Sequence, residues 1–154
     1  MKVREEMEQV AVRILEEWAL MLVEPATECL TIFDSDDDLL VAGLKFRGIV
    51  NGRYEVICQS AFARALSANL LGLDDDNRPE DMLDALKEMV NVVSGNLLTS
   101  SYGEDTSFAL TSPEVRVVPK SELKAVLGSC TLCYRADDVP VLVSFVPEEI
   151  SDAD

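Results

Sequence analysis

The chain has 154 residues, of which 48% are hydrophobic, enough to bury one core and therefore one domain spanning 1–154. Its 29 acidic and 13 basic residues leave a formal charge of −16, which repels a nucleic-acid backbone and favours a basic or mixed protein as partner. Histidine is absent, which excludes a Ser-His-Asp triad, a Cys-His pair, an HExxH zinc site and a histidine general base.

The N-terminal stretch MKVREEMEQVAV mixes acids with its first apolar residues, unlike a secretory signal. No apolar run approaches the roughly 18 residues needed to span a bilayer, so a soluble, cytoplasmic protein without nucleic-acid or membrane partners is expected. Over residues 3–22, Met7, Val10, Ile14, Leu15, Trp18 and Leu22 recur at helical spacing. They predict a long first helix with Trp18 anchored in the core, ended by Pro25.

Residues 26–44 read as a short strand, CLTIF, an acidic loop, and a strand, LLVAGLKF. A calcium loop starting at Asp34 fails, because its glycine position holds Leu39 and its twelfth residue is Lys45. The DDDN run at 74–77 fails in the same way, and both clusters are expected to be solvated loops. Asn51-Gly52 suggests a hairpin turn before the returning strand RYEVICQ. Gly43, Gly48 and Gly52 do not form GxGxxG, and no GxxxxGK[ST] occurs, so neither phosphate loop is supported.

Ser60 opens a short helix ended by Gly72. A long helix over 79–99 follows, its start signalled by Asn77 with Glu80 as a capping box and by Pro79. On a wheel of about 100° per residue, Met82, Leu86, Met89, Val90, Val93 and Leu97 form one apolar arc. Asp84, Glu88, Asn91 and Gly95 form a straight polar row opposite.

That row is an odd choice for a solvent face. Asn and Gly each cost several tenths to about 1 kcal/mol relative to Ala in a helix interior. A carboxylate one turn from a carboxamide, then a position without a side chain, presents two polar tips to a docking surface. A tolerated surface Asn and a Gly that admits a neighbouring backbone account for the same residues. Asp84 and Glu88 are poorly set as a glycosidase pair, because an exposed ridge does not raise one carboxyl pKa or enclose a sugar.

Beyond the SSYGED turn the chain reads as strands: TSFALT, EVRVV, and a hairpin from LGSCTLCYRA to VPVLVSFV turning at Asp137 and Asp138. A frayed acidic tail occupies 148–154. Cys29, Cys58, Cys130 and Cys133 are expected to be reduced. The CxxC of Cys130 and Cys133 lies in a strand-like run without further zinc ligands, leaving small-hydrophobe, redox and metal roles open in that order. The pattern predicts a two-layer α/β (α+β) domain, long helices on a largely antiparallel mixed sheet.

Glu88 and Asn91 suit one chemistry well. A carboxamide is too weak a base to deprotonate water, but it accepts and donates hydrogen bonds and can hold a water in line with an activated electrophile. Asp84-x3-Glu88-x2-Asn91, continuing through Gly95 and Asn96 in DALKEMVNVVSGN, resembles the signature helix of the CheC/CheX family of chemotaxis phosphatases, which act on CheY. The likeness extends over most of 1–147, including GLKFRGIVNGRYEVI and ANLLG.

The resemblance implies that Glu88 pairs with the regulator's lysine and Asn91 orients the attacking water at the phosphoaspartate. It implies no cofactor of the chain's own, the Mg2+ belonging to the partner. Asp84 then supports docking, and Gly95 and Asn96 are structural. Lys87 stands where the family often has glycine and bears on which regulator fits. A single ExxN places the chain nearer the CheX type, for which a homodimer through the sheets is implied. The alternative is a non-catalytic receiver-binding or adaptor module in two-component signalling.

Overall fold

The computed structural model describes residues 2–72, 78–128 and 130–148. Seven strands form one sheet in the order β1 (Val23–Ala26), β6 (Cys130–Ala136), β7 (Val139–Pro147), β3 (Gly52–Cys58), β2 (Leu39–Arg47), with β4 (Ala109–Leu110) and β5 (Glu114–Val118) both pairing with β2. Every pairing is antiparallel. Helices α1 (Lys2–Arg13), α2 (Ser60–Leu71) and α3 (Pro79–Tyr102) cover one face, and the short α4 (Leu123–Val126) lies against the other. This is the expected α/β architecture of helices on an antiparallel sheet.

Strand alternation divides the core. Ala42, Leu44, Phe46, Tyr54, Val56 and Leu132 face the helices. Leu39, Val41, Ile57 and Leu142 point the other way, under Ile32, Phe33, Leu123 and Val126. The same rule separates the CxxC cysteines, since residues three apart on a strand face opposite sides. Cys130 Sγ lies 3.3 Å from Met7 Sδ beneath α1. Cys133 donates to the Ala26 carbonyl at 3.1 Å on the far face, so the two thiols of this motif are not a pair.

Several boundaries differ from the expectation. The first helix closes at Trp18 through a π turn, Ile14–Trp18, in which Ala19 N–H donates to the Ile14 carbonyl at 2.9 Å. Leu20 then takes φ 58, and Leu22 is 80% exposed rather than part of the stripe. Pro25 does not stop a helix but sits in β1, an edge strand where its missing N–H is tolerated. CLTIF forms a 3-10 turn, Cys29–Thr31, not a strand. Its Ile32 and Phe33 supply apolar cover without joining the sheet.

The β2–β3 hairpin is present, but its last pair is Phe46 with Gly52, so the loop between the strands is 48–51 and Asn51-Gly52 is not a two-residue turn. Asn51 Oδ1 instead accepts the Gly48 N–H at 3.2 Å. Gly52 is required there, because a Cβ would meet the Val146 carbonyl at 2.5 Å. TSFALT contributes only β4, and the 3-10 turn Lys120–Glu122 with α4 was not expected.

The acidic loop at 34–38 is held by the Gln59 side-chain amide, which donates to the Ser35 and Asp37 carbonyls, and by the pairs Lys120–Asp36 and Arg135–Asp34. The DDDN run, Asn77 of the expected capping box, and the tail beyond Glu148 lie outside the described residues.

Candidate functional site

The site is built on α3, which runs 24 residues and ends at Gly103, one turn past the expected end. Its start is capped by Asp81, whose Oδ2 accepts the Arg78 N–H at 3.3 Å. Glu80 and Asp81 place negative charge at the positive end of the helix. Leu86, Met89, Val90, Val93 and Leu97 are buried, as the wheel requires, and Met82 packs at the edge of the core.

The opposite row of α3 is open to solvent. Asp84, Glu88 and Asn91 are exposed, while Lys87, Gly95 and Asn96 are half-buried. The side chains of Glu88 and Asn91 make no hydrogen bond or ion pair among the described residues. Only the Asn91 main-chain carbonyl is engaged, accepting from Ser94 Oγ at 3.3 Å. A Cβ added to Gly95 would meet nothing within 4 Å, so no packing inside this chain demands a glycine. The ridge is acidic, with Glu80, Asp81, Asp84 and Glu88 against Lys87 as the one cation on α3.

Asn96 has a different task. Its Nδ2 donates to the Val92 carbonyl at 2.7 Å, and its Oδ1 accepts from Arg13 at 3.4 Å. With the hydrogen bond from Ser100 to Glu6, this ties the C-terminal half of α3 to α1. Glu6 and Arg13 were not singled out in the sequence, although their spacing of seven puts them on one helix face. The supporting contacts therefore leave the Glu-x-x-Asn tips free while fixing the helix that carries them.

Helix α3 thus offers a carboxylate and a carboxamide, unengaged among the described residues, from one side of an antiparallel sheet. The matches identify the class. The family model "Chemotaxis phosphatase CheX" covers residues 40–135, and the chain belongs to the CheX family.

Among solved structures, a CheX from Desulfovibrio desulfuricans aligns at a TM-score of 0.71 with 18% identity, over 96% of this chain and 100% of the other. CheX in a CheX–CheY–BeF3–Mg2+ complex from Borrelia burgdorferi aligns at 0.61 with 19% identity, over 94% and 97%. FliY from Thermotoga maritima aligns at 0.59 with 11% identity, over 92% and 83%. At such identities these likenesses establish the shared fold. No curated protein matches the chain. Among the described residues, no helix is long and apolar enough to cross a membrane.

Proposed function

We propose that this protein hydrolyses the aspartyl phosphate of a CheY-like receiver domain by inserting the exposed row of α3 into the receiver's site. The observation that supports this is the exposure of the Glu88 and Asn91 side chains, which make no hydrogen bond or ion pair among the described residues. Two exposed polar groups one turn apart, held on a helix packed into the core, are preorganised without being engaged.

In this reading Glu88 forms an ion pair with a lysine beside the phosphoaspartate. Asn91 accepts one hydrogen bond from a water and holds its oxygen in line with phosphorus. The water oxygen forms the new P–O bond and the bond to the aspartyl oxygen breaks, leaving the receiver's carboxylate and inorganic phosphate. Mg2+ held by the receiver neutralises charge on the phosphoryl oxygens. Asp84 supports docking one turn earlier, and Lys87 reads the receiver's rim. Pairing of two copies through the sheet belongs to the same reading.

The experiment is phosphate release from Mg2+-bound, phosphorylated receivers. Wild type accelerates release. Removing the group that positions the nucleophile is worth on the order of 10²-fold or more in turnover, so Asn91→Ala abolishes most of the acceleration while still binding. Glu88→Ala acts mainly by weakening association. If receivers bind but wild type releases no phosphate faster than receiver alone, the catalytic reading is wrong and the ridge is a docking device only.

A further inference from the structure

We propose that the hollow over Gly43, on the sheet face turned away from α3, binds a small phosphate monoester through Arg53, Arg116 and Lys45. The inference is independent of the reading of α3, since it concerns the other side of the sheet and is tested by binding alone. On this face Ile32, Phe33, Leu123 and Val126 cover the sheet around Val41 and Ile57. Around Gly43 the lining changes to Lys45, Arg53, Thr111, Ser112, Glu114 and Arg116, enclosing about 500 Å³.

The floor of the hollow is a buried carboxylate. Glu55 is only 3% exposed, and its Oε2 accepts from Arg116 Nη1 at 2.8 Å. Its Oε1 has no hydrogen-bond partner, because Arg53 Nε stands 3.5 Å away, beyond good hydrogen-bond length. Burying a carboxylate is costly, and ion pairs of this kind add little stability over an apolar replacement. What Glu55 does supply is position. It pairs with two mutually repelling guanidiniums, each about half exposed.

Gly43 makes the space. It pairs with Glu55 on one side and Glu114 on the other, and a Cβ there would approach Glu55 Cγ to 3.0 Å. Lys45 adds a third cation, with no carboxylate partner among the described residues. Thr111 Oγ1 accepts the Lys45 N–H at 2.8 Å, leaving its own proton to donate, as does Ser112. Three of the chain's 13 basic residues thus converge against a charge of −16, which marks the place where an anion is tolerated.

Two guanidiniums, an ammonium and two hydroxyls outnumber the two carboxylates, Glu55 and Glu114, and they match the three terminal oxygens of a phosphate monoester. The hollow is within the range of small-molecule pockets, with room for an organic group beside the phosphate. Glu114 lies within it and excludes a ligand negative along its whole length.

The test is titration of glycerol 3-phosphate and of inorganic phosphate into the full chain, followed by calorimetry and by the arginine Nε–Hε NMR signals. Saturable shifts of the Arg53 and Arg116 signals are expected, absent with chloride at equal ionic strength. Lys45→Met and Arg53→Met each weaken binding about tenfold or more, and neither removes the Arg116–Glu55 pair on which local structure depends. Binding of inorganic phosphate without glycerol 3-phosphate makes this a free-phosphate site and overturns the monoester assignment. Shifts that do not saturate, that chloride reproduces, or that survive both substitutions overturn the site.

Discussion

At the scale of single residues, two asparagines five positions apart on α3 do opposite jobs. The Asn91 side chain bonds nothing among the described residues, whereas that of Asn96 bonds both the Val92 carbonyl and Arg13. Asn96→Ala removes a partly exposed tie worth about 0.5–1.5 kcal/mol, so it lowers the denaturation midpoint while leaving the proposed receiver dephosphorylation close to wild type. Asn91→Ala does the reverse. Equal losses of turnover in the two variants would show that Asn91 acts through helix stability.

Gly95 allows a sharper separation. Alanine there meets no neighbour and gains about 0.8–1 kcal/mol of helix propensity. If the open position admits a docking surface, Gly95→Ala raises stability yet weakens receiver affinity, and Gly95→Leu weakens it further. Melting curves and receiver titrations check the two signs together. Unchanged affinity in Gly95→Leu would remove the glycine from the docking row. The wheel located Asp84, Glu88, Asn91 and Gly95 correctly because a 3.6-residue period suffices for that. The partners of Asn96 were not legible, since they depend on where α1 lies.

At the scale of elements, legibility followed the strength of the local signal. α2, β2, β3 and the β6–β7 hairpin carry unbroken patterns and end at residues with clear backbone preferences. β1 is four residues including a proline, and α4 is a single turn. Neither has a period to detect, and each is placed by the face it covers. The first helix shows how tertiary packing overrides pattern, because a π turn ends it while apolar residues continue at helical spacing to Leu22.

The β6–β7 turn gives the test at this scale. Asp137 and Asp138 take φ 50 and 65, a conformation that disfavours residues with a Cβ. Asp137 also bonds Leu22 twice: its N–H donates to the Leu22 carbonyl and its Oδ1 accepts the Leu22 N–H, each at 2.8 Å. Asp138 makes no such bond. Asp138→Gly therefore relieves strain and raises stability by roughly 0.5–1 kcal/mol. Asp137→Gly loses the anchor of β1 and gives less or a net loss. Chemical denaturation of both variants distinguishes them, and an equal gain from each would deny Asp137 its anchoring role.

At the scale of the whole molecule, stability should fall on the alkaline side for a reason separable from net charge. Burial raises the pKa of the Tyr54 and Tyr134 phenols and of the Cys58 thiol, and pushes the Cys133 thiol up to about 12. In the unfolded chain these thiols and phenols titrate near 9.0 and 10.0. Below pH 9 both states hold the protons, and the stabilisation is fully present. Above it the unfolded chain releases them while the folded chain retains them. Fewer protons bound in the unfolded state means that stability declines with rising pH.

A chain of charge −16 also repels itself more as lysines deprotonate, and this gives the same sign. Salt separates the two causes, because it screens surface repulsion across a Debye length of about 10 Å at 0.1 M but leaves a buried proton untouched. Urea unfolding between pH 8 and 11 is therefore expected to retain its downward slope in 1 M KCl. The slope becomes shallower in a Cys58→Ala, Cys133→Ala variant, which removes two of the buried protons. If high salt flattens the wild-type curve completely, surface repulsion alone accounts for the alkaline loss, and the buried thiols and phenols do not govern it.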